Sequence, residues 1–219
     1  MRTEVIAIVL GASLAAAQCS VTTGVKTTFY GVPDNDPAGS DATAFSCNAR
    51  GFHAGGSGTF DDPMTFASKV GSDYAQCEII YAPYLKKYLQ SQDTCAGCNT
   101  GEWTDVFTGN SVDGGSAQIS CEDQLTPSNT QSVIRNPPSN LEVDTTPLWN
   151  NGQCNTGNVY PSYDANALCS GSSGSSSGGS SSVCQTGCTW AGHCIGCPCA
   201  TFDDCSDDFV CTNGLCASA

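Results

Sequence analysis

Asp93-Thr94-Cys95-Ala96-Gly97-Cys98 sets an acidic side chain beside a tight Cys-x-x-Cys, and Trp103-Thr104-Asp105-Val106-Phe107 sets a second one inside an apolar, β-prone run. A carboxyl flanked by Trp103, Val106 and Phe107 is partly desolvated, which raises its pKa and keeps the proton a general acid must donate. Asp105 is therefore the leading catalytic candidate, and a buried, hydrogen-bonded structural Asp is the competing reading. Asp93 has two readings of its own: chemistry, or capping of the turn that sets the disulfide loop. Upstream, Val32-Pro33-Asp34-Asn35-Asp36-Pro37-Ala38-Gly39-Ser40 is too rich in Pro, Asp and Gly for regular structure and forms a loop. Asp34 and Asp36 are either cleft carboxylates carried by that loop or Asx-turn residues ahead of the prolines.

The elements that must hold these residues are β-prone. Ser20 to Lys26 leads as a strand into Thr27-Thr28-Phe29-Tyr30-Gly31, and an Asp-Asp-Pro turn at 61–63 precedes Met64-Thr65-Phe66-Ala67. Glu78-Ile79-Ile80-Tyr81-Ala82 and Leu85-Lys86-Lys87-Tyr88-Leu89-Gln90 lead into Asp93. Tyr81, Tyr84 and Tyr88 either stack on sugar rings, whose C–H faces complement an aromatic face, or pack within the sheet. The glycine cluster at 55–58 lacks a GxxxxGK[ST] pattern and is no P-loop. With only His53 and His193 in the chain, a Ser-His-Asp triad or a multi-histidine metal site is poorly supplied. No cofactor and no metal is expected.

The Asp-x-Cys-x-x-Cys segment followed by a strand with an aspartate among apolar residues resembles barwin-like proteins, expansins and family-45 glycoside hydrolases. Thr27-Thr28-Phe29-Tyr30-Gly31 resembles the Thr-x-Tyr-Gly opening of the expansin barrel. The two motifs frame residues 24–124 and imply an all-β fold, a six-stranded double-psi β-barrel with disulfide-tied loops. By the resemblance Asp105 matches the aspartate linked to acid function or polysaccharide action, Asp93 matches the aspartate beside the Cys-x-x-Cys, and His53 and Asp61 border the substrate groove; Tyr30, Trp103 and, by its aromatic face, Tyr84 are further candidates to meet substrate. The base of family-45 hydrolases lies two positions after the tyrosine, where this chain has Val32, so the second carboxylate falls to Asp34, Asp36 or Asp61. Expansins continue into a β-sandwich of about a hundred residues, and nothing of that length follows here.

Residues 1–17 form an apolar run ending in small residues, too short for a membrane span, and are expected to be a signal peptide with the mature chain starting at Gln18. Sixteen cysteines among 219 residues then mean disulfides, since the exporting compartment is oxidising. Eight of them precede a Ser/Gly run and eight follow it, so two independently closed domains are expected. The barrel domain spans 18–169, a Ser/Gly linker 170–183, and a cysteine-rich module 184–219 that resembles small modules of secreted fungal polysaccharide-degrading proteins. There Trp190 is the carbohydrate-facing aromatic, and a zinc site at His193 is disfavoured by the secreted setting. Beyond Cys121 the sequence turns irregular, with 133–138 and 141–149 as extended segments wrapping the barrel, tied down by Cys154 and Cys169, and with Trp149 as a groove anchor or simple packing.

A formal charge of −14 argues against nucleic acid or an anionic membrane as partner and suits a neutral or cationic target, or solubility alone. The sequence thus points to a secreted, extracellular monomer whose partner is a cell-wall polysaccharide. It acts there as an endoglucanase-like hydrolase or an expansin-like loosening protein. The reading from another class is a non-catalytic, barwin-like glycan-binding protein or secreted effector, and a disulfide-rich structural or inhibitory protein would have no groove at all.

Overall fold

A computed structural model of the chain describes residues 18–69, 71, 74–109, 112–170, 205, 209–212 and 215–218. The chain divides into two compact units, Met1–Ser173 and Gly174–Ala219. In the first, six strands close into a barrel: β1 (Ser20–Tyr30), β2 (Met64–Ser68), β3 (Ile79–Ala82), β4 (Lys87–Thr94), β5 (Trp103–Phe107) and β6 (Gln131–Arg135). Around the barrel they run β1-β5-β2-β4-β3-β6. The pairs β1/β5 and β2/β4 are parallel and the other four are antiparallel. The β2/β4 pair lies inside the β1/β5 pair along the sequence, and the expected all-β, six-stranded barrel class is what is observed.

The barrel interior is built on alternate positions of β1 and β5, while β2 and β4 are buried along nearly their whole length. Phe29, Val106 and Phe66 are register neighbours on β1, β5 and β2, and all three are buried in one interior cluster with Val25, Ile80, Leu89 and Val133. Each such side chain contributes about 1.5–3 kcal/mol on burial. The residues between them face outward, where Tyr30, Val32, Ala54, Ala67 and Phe107 form a second, smaller apolar cluster under the loop that follows β1. A one-residue slip would exchange these faces, which fixes the register.

Two features depart from the sequence reading. Residues 131–135 are not a wrapping segment but the sixth barrel strand, pairing with both β1 and β3, so the barrel runs past residue 124. The residues leading into the stretch read as irregular form an 11-residue helix, α1 (Gly115–Leu125), whose buried positions are Gln118, Cys121, Glu122 and Leu125. The spacing is helical, but two of the four are polar, so no apolar stripe announces it. Residues 141–149 do wrap the barrel, held where Tyr81 donates to the Glu142 carbonyl at 2.6 Å and Asp144 N donates to Lys86 O at 3.0 Å. Lys87 is fully buried and its ammonium donates to the Asp144 and Thr146 carbonyls, and burial lowers its pKa to about 8. A short hairpin, β7 (Trp149–Asn150) with β8 (Gln153–Cys154), and a helix α2 (Ala165–Ser170) complete the unit.

The first eight cysteines pair among themselves as Cys19–Cys169, Cys47–Cys77, Cys95–Cys98 and Cys121–Cys154. The bridges from Cys154 and Cys169 tie the C-terminal wrap to α1 and to the start of β1. In the second unit, β9 (Phe209–Thr212) pairs antiparallel with β10 (Leu215–Ser218), and Cys205 bridges to Cys216. Among the described residues no cysteine is free. The expected signal peptide, the Ser/Gly run after Ser170, Trp190 and His193 lie outside the described residues.

Candidate functional site

Four adjacent strands carry one row of outward-facing residues. Thr28 on β1 stands opposite Asp105 on β5, Asp105 opposite Ala67 on β2, and Ala67 opposite Asp93 on β4. The last position depends on a β-bulge: Phe66 faces Ser91 but Ala67 faces Asp93, so Gln92 is the extra residue. In an unbroken ladder Gln92 would occupy that place and Asp93 would turn to the interior. The bulge is held by the Gln92 side chain, whose Oε1 accepts from Thr65 Oγ1 at 2.7 Å and from Arg50 Nη2 at 3.1 Å. Asp105 and Asp93 thus flank Ala67, two strand spacings apart, roughly 9.6 Å between backbones.

This row floors a cleft of about 410 Å³ whose rim includes Tyr30, Asp34, Asp36, Trp103 and the Cys95–Gly97 loop. The loop carrying Asp34 and Asp36 is tied to itself: Asn35 Nδ2 donates to the Ser40 and Ala42 carbonyls at 2.9 and 3.0 Å, and Gly31 N donates to Asp34 Oδ1 at 2.9 Å. Asp34 lines the cleft while one of its oxygens accepts from the N–H three residues earlier, rather than from a residue ahead as in the Asx-turn that was the alternative. The Cys95–Cys98 bridge closes the opposite loop.

Burial pushes the Asp105 carboxyl up to about 6. The Thr28 hydrogen bond opposes this, the charges of Asp34 and Asp93 reinforce it, and Lys26 opposes it weakly. Thr28 Oγ1 donates to Asp105 Oδ1 at 2.7 Å and accepts from the Trp103 indole Nε1 at 2.8 Å, so Trp103, Thr28 and Asp105 form a chain that fixes the acid's rotamer. The Lys26 ammonium lies 3.4 Å over the Trp103 ring and clamps it from the other face. Asp93 is differently placed. Its Oδ1 accepts from Thr94 N and Ala44 N at 2.8 and 3.1 Å, and its Oδ2 from Tyr30 Oη at 3.3 Å. Burial raises its pKa and those bonds oppose the rise. Tyr30 is itself held far above its usual range by burial and by the charges of Asp93 and Asp105, so it stays a neutral donor.

A residue the sequence did not single out lies behind Gly31. Glu122, on α1, is only 3 % exposed. Its Oε1 is 3.0 Å from Thr108 Oγ1. Burial first, and then the charge of Asp34, push its pKa to about 7. A Cβ on Gly31 would fall 2.5 Å from Glu122 Oε1 and 2.0 Å from Gln118 Nε2, so glycine is required where β1 passes the helix. The available signal was the i, i+3, i+4, i+7 spacing of 118, 121, 122 and 125 around a cysteine.

The cleft brings together Asp105, Asp34, Asp36, Asp93, Tyr30 and Trp103. It does not include three others. His53 is exposed and its Nδ1 lies 3.0 Å from Asp41 Oδ1. Asp61 is exposed on a loop where its neighbour Asp62 takes the partners, accepting from Arg50 and from Ser57 N. Tyr84 is buried, its hydroxyl donating to the Leu125 carbonyl at 2.9 Å, because it plugs the space between barrel and helix. Among the described residues no group of three or more His, Cys, Asp or Glu side chains is arranged to hold a metal ion.

Comparison with known proteins adds three findings. A family model described as "DDB_G0273701 N-terminal domain" matches residues 22–155, more than half of the chain and all of the barrel except the first two residues of β1. An uncharacterized protein of Dictyostelium discoideum is 35 % identical over 130 residues, 56 % of this chain and 55 % of that protein. Endo-chitosanase C of Aspergillus oryzae is 61 % identical over 31 residues, 14 % of this chain and 8 % of the enzyme. The chain therefore spans about half of one relative's length and less than a tenth of the other's. No solved structure matches the chain.

Proposed function

We propose that this chain, which belongs to the family of the DDB_G0273701 N-terminal domain, is a secreted protein that cleaves a cell-wall polysaccharide by acid-assisted glycoside hydrolysis in the cleft on its outer barrel wall. The observation that carries this is Asp105: a largely buried carboxyl, protonated up to about pH 6, that opens onto a cleft with an exposed second carboxylate, Asp34. Asp105 gives its proton to the glycosidic oxygen as the C–O bond breaks, and Asp34 takes one from the water that attacks the anomeric carbon. Asp36 shares the cleft and is the alternative base. Trp103, clamped by Lys26 and Thr28, presents a rigid aromatic face to a sugar ring. The closed six-stranded barrel with its two parallel pairs supports kinship to the expansin and family-45 superfamily. The disulfides support an extracellular setting.

The acidic cleft and the net charge of −14 favour a neutral or cationic glycan. The short stretch shared with endo-chitosanase C favours the same choice, so partly deacetylated chitosan is the first substrate to test, ahead of β-glucans, chitin and peptidoglycan. The cysteine-rich unit after the Ser/Gly run, with Trp190, is proposed to hold the protein on the wall.

The test is reducing-end release with product chromatography, comparing the mature protein with Asp105→Asn and Asp34→Asn. Loss of about 10²–10⁴ in rate with glycan binding kept is the expected result for each carboxyl. If no protein releases product from any glycan while all bind the same one, the hydrolase reading fails and a binding or loosening role replaces it.

A further inference from the structure

Glu122 is a buried carboxyl without a cation. The groups that face it are Asp34 on the loop after β1, Asp105 on β5, the neutral Thr108 and Gln118, and, beyond Asp34, the neutral phenol of Tyr30. Gln118 is itself engaged, its Nε2 donating to Thr108 Oγ1 at 3.3 Å and its Oε1 accepting from Gly114 N at 3.1 Å. Glu122 Oε2 is buried and no donor reaches it. The polar side chain beside it is Asp34, which as a carboxylate offers only acceptors. Two acceptor groups in contact, one of them out of water, are stable only with a proton between them.

We propose that Glu122 carries that proton and donates it to Asp34, so that the two carboxyls form one pair in which Glu122 is the positioning residue for the cleft carboxylate. Gly31 N holds Asp34 Oδ1 from the backbone side, and Glu122 holds the side chain from the helix. The positioning role rests on the hydrolase reading above, whereas the shared proton does not. Neutral Glu122 fixes Asp34 and leaves it an acceptor toward water in the cleft. Ionised Glu122 repels it, and with its pKa near 7 that change falls within the working range of a secreted protein.

The experiment is a pH titration of the side-chain carboxyl carbons by NMR on the intact chain, in wild type, Asp34→Asn and Glu122→Gln. In wild type Glu122 is expected to stay protonated to near neutrality, with the Asp34 and Glu122 carbons each responding to both titration steps, the signature of a coupled pair. In Asp34→Asn the proton affinity of Glu122 is expected to fall roughly tenfold or more, because the like charge is gone. An unchanged Glu122 midpoint in that variant, or independent single-step curves in wild type, overturns the pair and leaves burial alone as the cause. The wild-type curves decide the matter even if a variant does not fold. On a glycan that is cleaved, log kcat/KM above pH 7 is expected to fall with a slope of about two in wild type, from Asp105 and Glu122 together, and about one in Glu122→Gln. An equal loss at every pH would mean that Glu122 only supports the fold. Should no glycan be cleaved, the hydrolase reading falls while the titration still decides the pair.

Discussion

Asp105→Asn should stabilise the protein while disabling it, and the size of the gain follows from the cleft. The carboxyl titrates near 3.9 in the unfolded chain and at about 6 in the fold, because burial disfavours its charged form. Below about pH 4 it is neutral in both states, and its contribution to stability is fully present. Between about pH 4 and 6 the unfolded chain ionises while the folded one does not, so stability drains away as pH rises through the folded pKa, by roughly 3 kcal/mol in all. The asparagine side chain is isosteric and still accepts the Thr28 hydroxyl, but has no charge to bury. Urea unfolding of both proteins with disulfides intact, from pH 3 to pH 8, measures the difference. The variant's advantage is expected to grow across pH 4–6 and level off by pH 7, as a midpoint difference on the order of 1–3 M with an unchanged slope. Parallel curves for the two proteins would refute the reasoning, since a carboxyl that ionises without cost is not one the cleft holds protonated.

Thr28→Val removes the hydrogen bond that favours the ionised form of Asp105, so the alkaline limb of kcat/KM on a cleaved glycan should move to higher pH; a move to lower pH would contradict the placement of Thr28 as a donor to the carboxyl. Gly31→Ala meets no backbone penalty but sets a methyl group against Gln118 and Glu122, and should cost about 1–3 kcal/mol by displacing α1 from β1. Thermal or urea unfolding within a few tenths of a kcal/mol of wild type would show that the helix yields there freely.

Much of the cleft could be read from the sequence because its chemistry sits on strands. Asp105 announces itself as a charge among Trp103, Val106 and Phe107, and period-two alternation then sends it to the face opposite Val106. Tyr30 and the 32–40 loop follow from where β1 ends, whereas Asp93 reaches the cleft only through the bulge in β4. The misreadings share a different cause. Asp61 and Asp62 are interchangeable in a sequence, and only the position of Arg50 settles which one becomes structural. Tyr84 looks like its neighbours in a tyrosine-rich run until the helix end at Leu125 supplies an acceptor that keeps its hydroxyl buried. The bulge at Gln92 leaves no local mark, because it is set by Thr65 and Arg50, which are distant in sequence.

Glu122 is the most instructive omission, and the reason for it bears on how such a cleft is built. A strand advertises a buried carboxyl, because every second residue around it is apolar. A helix that buries Gln118 and Glu122 next to Cys121 and Leu125 hides one, because the polar pair interrupts the stripe that would have marked the face. The same interruption is what the site uses. An apolar residue at 122 would avoid the desolvation of a carboxyl but would take an acceptor from Thr108 and leave Asp34 held by the loop alone. A carboxyl there costs the fold its desolvation and is kept neutral first by that burial and then by the charge of Asp34 beside it. Asp105 and Glu122 are thus the same device on two elements, each a carboxyl that the packing around it keeps protonated, one aimed into the cleft and one aimed at the residue that faces it.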